Sequence, residues 1–200
     1  MSVFADLVDE VYGITLRPDL VTQTKSAVRA ATLTAHHLDY FPKDLFEVGL
    51  QFTTPDFVQS LNYKEVVPNW RAFKYLRKYD ASVQVGQDLT PKFFELITPE
   101  VALDNYGLVR QDTCYLAGET IEIRSTTKDT YMLLGCYVHP TVVEARYSSW
   151  IANEYPYAII YAAAAIIFAQ IGYEEQAGST QQLANLQYNQ LVQQIVARGD

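Results

Sequence analysis

The sequence predicts an α+β protein in which helices from the two ends of the chain form a bundle and a β-rich insertion lies between them. Three observations predict it. Apolar residues recur at spacings of three and four before residue 42 and again after residue 140; between those points they alternate with polar ones; and Pro55, Pro68, Pro91 and Pro99 punctuate the same middle stretch. The expected division is a bundle from residues 1–42 and 141–200, and an insertion over 43–140. At 200 residues, 49% hydrophobic and 13% aromatic, the chain can bury a sizeable core.

Ser2 is placed to cap a first helix whose Val3, Phe4, Leu7, Val8 and Val11 form one face, with Gly13 placed to end it. A second helix is expected to begin with Pro18 in its first position and Asp19 complementing its dipole. Val21, Thr24, Val28, Ala31, Ala35 and Leu38 make its apolar stripe, Lys25 and Arg29 lie on its outer face, and Phe41 and Pro42 stop it.

The period then changes to two. Phe46, Val48, Leu50 and Phe52 alternate with Glu47, Gly49 and Gln51, the pattern of a strand with one buried face. Ile121 and Ile123 begin a second strand, and Tyr131–Val138 is expected to return against it as a hairpin across the polar segment Thr126–Thr130. Asp80, Gly86, Gly107 and Gly118 mark further turns. Trp70–Lys78 reads equally as a strand or a short helix, and Phe93–Leu103 as turns with one short helix.

After Pro140 the helical period returns. A short helix is expected over Thr141–Trp150, a long one over Tyr155–Gly172 with Pro156 at its start, and a last one over Ser179–Ala197, where Ser179 and Gln182 fit a capping box. Tyr155–Tyr173 carries no charge, but its continuous apolar part, Tyr157–Ala169, is Ala-rich and shorter than the ~20 residues that span a bilayer. It reads as a buried central helix.

Composition excludes several classes of function. A net charge of −8 disfavours a protein that clamps nucleic acid, although it does not exclude contact with DNA that slides past without being held. Cys114 and Cys136 are too few for a disulfide framework and lack zinc-site spacing, so free, half-buried thiols are expected. The acidic N-terminus is unlike a secretory signal, which places the chain in the cytosol until assembly.

No linear active-site signature is present. His36 and His37 are adjacent, so on a helix they point about 100° apart and cannot share one metal ion; they read as a surface pair near the helix end, with His139 alone before Pro140. Ser148 and Ser149 lack the Gly-x-Ser-x-Gly turn of a hydrolase nucleophile, and no Gly-rich loop precedes a helix. No catalytic residue, cofactor or metal site is therefore assigned. A pair of acids brought together by the fold, as in glycosidases, stays open.

The anomaly is the last helix, which carries no charge from Ser179 to Ala197 and fills its polar positions with amides. Solvated faces usually carry Glu and Lys; amides suit a face that a partner covers, because they hydrogen-bond without the desolvation cost of a charge. Helix propensity alone is the plain alternative. Gln187, Tyr188, Gln190, Leu191, Gln194 and Arg198 are the expected partner-facing residues. Tyr155, Tyr157 and Tyr161 serve either such contacts or the core.

In element order, and most closely in Thr24–Asp39, Tyr115–Ser125 and Ser149–Gly172, the chain resembles the head-to-tail adaptor proteins of tailed bacteriophages, of the short-tailed tubular-tail type. The resemblance implies a structural virion protein, assembled in the host cytoplasm into a twelve-fold ring. It further implies that the ring sits under the portal protein, extends the DNA channel and receives a tail tube or nozzle protein, with no membrane partner. The C-terminal helix, here Ser179–Asp200, is the part such adaptors direct to the portal. A tail-completion or stopper protein is the alternative structural reading, and a small glycan hydrolase the alternative from another class.

Overall fold

The structure, a computed structural model, describes residues 2–78, 92–102 and 111–196. The chain is an α+β protein with helices at both ends and strands between. It divides into two compact units: Met1–Asp44 with His139–Asp200, and Leu45–Val138. The turns expected at Asp80, Gly86 and Gly107 lie outside the described residues.

The first unit is built on the charge-free segment. Helix α1 (Val3–Thr15) and helix α2 (Val21–His37) are followed, after the insertion, by α4 (Trp150–Glu154), α5 (Pro156–Gln170) and α6 (Glu174–Val196). Helix α5 is buried around its circumference, at Ile159, Ala163, Ile167 and the alanines between, which is why it tolerates no charge. Its core contacts are Phe4, Leu7 and Val11 of α1, Val28, Ala31 and Ala35 of α2, and Ala184, Tyr188 and Leu191 of α6. No helix among the described residues is long and apolar enough to cross a membrane.

Helix ends follow local chemistry, with corrections to the expected limits. Ser2 caps α1 by accepting the Ala5 N–H at 3.3 Å. Gly13 does not end that helix; the chain turns at exposed Leu16, which takes the left-handed conformation at φ 54°. Pro18 and Asp19 lie in the turn before α2, where Arg17 grips the Asp19 carboxylate with two 2.8 Å bonds. Lys25 and Arg29 do not form a free basic face: both turn to Glu144, at 2.8 and 3.9 Å.

Gly172 ends α5 at φ 79°, its N–H donating to Ala169 O while the Tyr173 N–H reaches back to Phe168 O, and the Phe168 and Tyr173 rings stack beside that turn. Helix α6 then starts at Glu174, five residues earlier than expected. Its two first-turn acids complement the dipole, and Ser179 sits inside it, donating to Gln176 O rather than capping. The short helix expected over Thr141–Trp150 is instead a bridge from Thr141 to Ser148 around a 3₁₀ turn at Glu144–Arg146.

The second unit is one five-stranded sheet: β1 (Leu45–Asn62), β2 (Trp70–Lys78), β3 (Glu95–Leu96), β4 (Thr113–Ala117) and β5 (Thr120–Val138), with a one-turn α3 (Tyr63–Val66) after β1. Trp70–Lys78 resolves to a strand. Strand β5 is the spine, paired with β1 along one edge and with β4 and then β2 along the other. Leu50, Leu76, Cys114, Ile121, Ile123, Met132 and Leu134 form this unit's core.

The expected hairpin across Thr126–Thr130 does not exist; Ile121 and Tyr131–Val138 belong to the same strand, and the hairpin is β4–β5 at Gly118, φ 64°. Register shifts between Gln51 and Asp56, and between Asp56 and Val58, compensate one another along β1 and β5, so the polar segment departs from the ladder without reversing. Asp112 holds it there. Its carboxylate accepts the Thr126 N–H and O–H at 2.9 Å, while Lys78 donates to Thr127 Oγ1 at 2.9 Å.

The cysteines are fully buried rather than half-buried. Desolvation pushes the Cys114 thiol from 9.0 up to about 12 and Cys136 up to about 11. Because the folded state holds these protons more tightly than the unfolded chain, their contribution is complete below pH 9 and is lost as pH rises through 11 to 12. The sheet unit is expected to lose stability over that alkaline window and both thiols to resist alkylation at pH 8 until denaturant is added. Mass spectrometry after iodoacetamide treatment checks the second point.

Candidate functional site

The most chemically suggestive cluster is a buried relay at the end of α2. His36 is 1% exposed, so it is not a surface residue as its position beside His37 suggested. It lies on the inward stripe with Thr32 and Ala35, whereas His37, about 100° round the helix, faces solvent. Since a carboxylate accepts, His36 Nδ1 donates to Asp44, at 2.9 and 3.0 Å from its two oxygens. Trp150 Nε1–H donates to the same carboxylate at 2.8 Å, and His36 Nε2 stands 2.9 Å from Ser149 Oγ.

Ser149, His36 and Asp44 thus have the connectivity of a nucleophile, base and orienting acid. Their surroundings differ from those of a reactive site. Ser149 is 5% exposed, and its Oγ is also the cap of α4, accepting the Ala152 N–H at 3.2 Å. The arrangement ties three segments of the first unit together: the last turn of α2, the Pro42–Asp44 turn and the start of α4. His37 adds a second tie, its Nε2 lying 3.3 Å from Nδ1 of His139, which therefore does not stand alone.

Among the described residues, two of the open clefts are large enough to consider, and neither is lined by the relay. One, of about 310 Å³, lies between α1 and the start of α5; Asp6 and Glu10, one turn apart on α1, border it with Tyr157 and Ile160. Both acids are exposed, so water solvates them and neither has the desolvated setting of a glycosidase acid. The other, of about 250 Å³, is an apolar hollow in the sheet unit beside Phe46 and Val67. Among the described residues no three His, Cys, Asp or Glu side chains are grouped to hold a metal ion.

The outer face of α6 is the second candidate, and the structure sorts the expected partner-facing residues. Tyr188 and Leu191 do not face a partner. With Ala184 they form the stripe that packs on α5 within the same unit, because spacings of four and three bring them to one side of the helix. Gln187 is half-buried and Gln190 exposed, while the side chain of Gln194 and the whole of Arg198 lie outside the described residues. Leu183 and Leu186, which are not among the expected partner-facing residues, turn outward and are 45% and 57% exposed. Their signal was available: they fall between the positions of the inward stripe.

Among the described residues the buried Tyr188 hydroxyl has no hydrogen-bond partner, and burial pushes its pKa up to about 12. Tyr188→Phe removes that unsatisfied atom without changing the ring, so thermal unfolding is expected to show unchanged or slightly higher stability, by up to about 1 kcal/mol. A loss of stability would mean that the hydroxyl has a partner. No protein-family model and no curated protein matches the chain.

Proposed function

We propose that this chain is a structural, ring-forming head-to-tail adaptor of a tailed phage, placed between the portal protein and the tail and surrounding the path of the genome. The observation that carries the reading is the outer face of α6, where two exposed leucines stand among amides without a charge from Ser179 to Gln193. Such a face suits burial against another protein surface, since neither amide nor leucine imposes the cost of an unpaired buried charge. The helical bundle with a β-rich insertion agrees with the resemblance noted above. Virion location and the twelve-fold ring rest on that resemblance.

Partners follow from the same reading: further copies of the chain, the portal, and a tail tube or nozzle protein. Genomic DNA passes without a specific complex, because a net charge of −8 offers few groups to neutralise phosphates. Co-sedimentation of the folded chain with portal rings tests the proposal: retention on the portal is expected, and free migration at every ratio would reject it.

A hydrolase is the second reading, favoured by the Ser149–His36–Asp44 connectivity. It requires the serine to become accessible. Labelling by a fluorophosphonate that disappears in Ser149→Ala, with melting unchanged, would establish it.

A further inference from the structure

His37 and His139 meet outside the relay, within the same helical unit. His37 is the last residue of α2 and is exposed; His139, part-buried, is the residue at which the chain re-enters that unit after the insertion. His37 Nε2 stands 3.3 Å from His139 Nδ1, and the ring centroids are 5.1 Å apart with the planes at 70° to one another. His36, the third histidine of the chain, is engaged elsewhere, with Nδ1 on Asp44 and Nε2 beside Ser149 Oγ.

The spacing is that of two ligands on one tetrahedral ion. Imidazole nitrogens bound at about 2.05 Å to a tetrahedral zinc stand about 3.3–3.4 Å apart, with their ring centroids about 5.2 Å apart. Rings aimed head-on along one N–H···N bond of the observed length would put the centroids at about 5.6 Å. Each ring is therefore turned off the line between the nitrogens, as coordination of an ion beside that line requires. A square-planar ion, with its ligands at 90°, would bring the nitrogens to about 2.9 Å, so the spacing selects zinc over copper(II) or nickel(II) in that geometry. Magnesium and calcium take oxygen ligands instead.

We propose that His37 and His139 bind one zinc ion between them. Charge supports the site as well as spacing: the ion would stand at the C-terminal, negative pole of a 17-residue helix, on a chain whose net charge is −8. Among the described residues no third His, Cys, Asp or Glu is grouped with the pair. The remaining positions fall to water, and with two protein ligands rather than four a Kd of about 1–100 μM is expected. Bound zinc would pin the end of α2 to His139 and brace the return of the chain into the helical unit, a role independent of the adaptor reading.

Isothermal titration of the full chain with zinc chloride, on wild type, His37→Ala and His139→Ala, tests the inference, with magnesium chloride as the control for general attraction to acids. Wild type is expected to take one zinc per chain, each variant to bind at least about tenfold more weakly, and magnesium to give no saturable binding. Zinc at about a hundredfold above Kd should raise the melting midpoint of wild type by about 5 °C and leave that of the variants unchanged. Because His37 is exposed, His37→Ala carries the test if His139→Ala melts early. Imidazole nitrogen NMR reads the geometry: zinc should shift Nε2 of His37 and Nδ1 of His139 and leave His36 unmoved.

Zinc binding that is absent up to about 1 mM, equal in wild type and both variants, or matched by magnesium would each overturn the proposal. Zinc-induced shifts at the opposite ring nitrogens would also overturn it, by placing the ion outside the gap between the two rings.

Discussion

Asp44→Ala is expected to destabilise the helical unit by about 3–5 kcal/mol, the scale for removing one partner of a buried, hydrogen-bonded pair. Asp44 is 4% exposed and accepts from both His36 and Trp150, so alanine leaves two buried N–H donors without their carboxylate. Chemical denaturation of wild type, Asp44→Ala, Trp150→Phe and the double variant measures the effect. The double variant should be less destabilised than the sum of the single ones, because the two losses share one carboxylate. Additive effects would mean that Asp44 and Trp150 act separately.

Gly135→Ala is expected to cost about 1–3 kcal/mol in the sheet unit, although alanine normally suits a strand at least as well as glycine. The reason is Tyr75, whose ring lies across Gly135: an added Cβ would stand 2.5 Å from Cζ and 2.7 Å from Cε1. The ring cannot move away freely, since Phe93 packs edge-on against it and the Arg77 guanidinium sits 5.8 Å from its centroid. Gly49 is the internal control. A Cβ there meets open space, and Gly49→Ala should be neutral or stabilising by up to about 1 kcal/mol. Adding Gly135→Ala to Tyr75→Ala should cost nothing further; an undiminished penalty would place the strain in the backbone instead.

These two sites show where sequence reasoning reaches and where it stops. Elements whose information is local were legible: the Ser2 cap, the uninterrupted apolar run of α5 with Gly172 at its end, and the alternation from Phe46 to Phe52. Features set by a distant partner were not. His36 looked like half of an exposed pair because its partners, Asp44 and Ser149, are 8 and 113 residues away. Thr126–Thr130 looked like a turn because it is polar, but Asp112 and Lys78 hold it beside a strand that continues. The outward face of α6 was misjudged by one helical position. Amide content marked the helix, but only the line through Ala184, Tyr188 and Leu191 fixes which side is inside, and that leaves Leu183 and Leu186 to solvent.

Chemistry at the relay and assembly through α6 would use different parts of the helical unit. A reactive Ser149 would need the end of α2 to open, against the stability that Asp44 confers. Native mass spectrometry of the purified chain, alone and mixed with portal rings, tests the proposed assembly most directly. The predicted result is a single closed stoichiometry on the portal, twelve copies if the resemblance holds in number as well as in kind. A chain that remains monomeric and unbound with portal in excess would contradict the adaptor assignment.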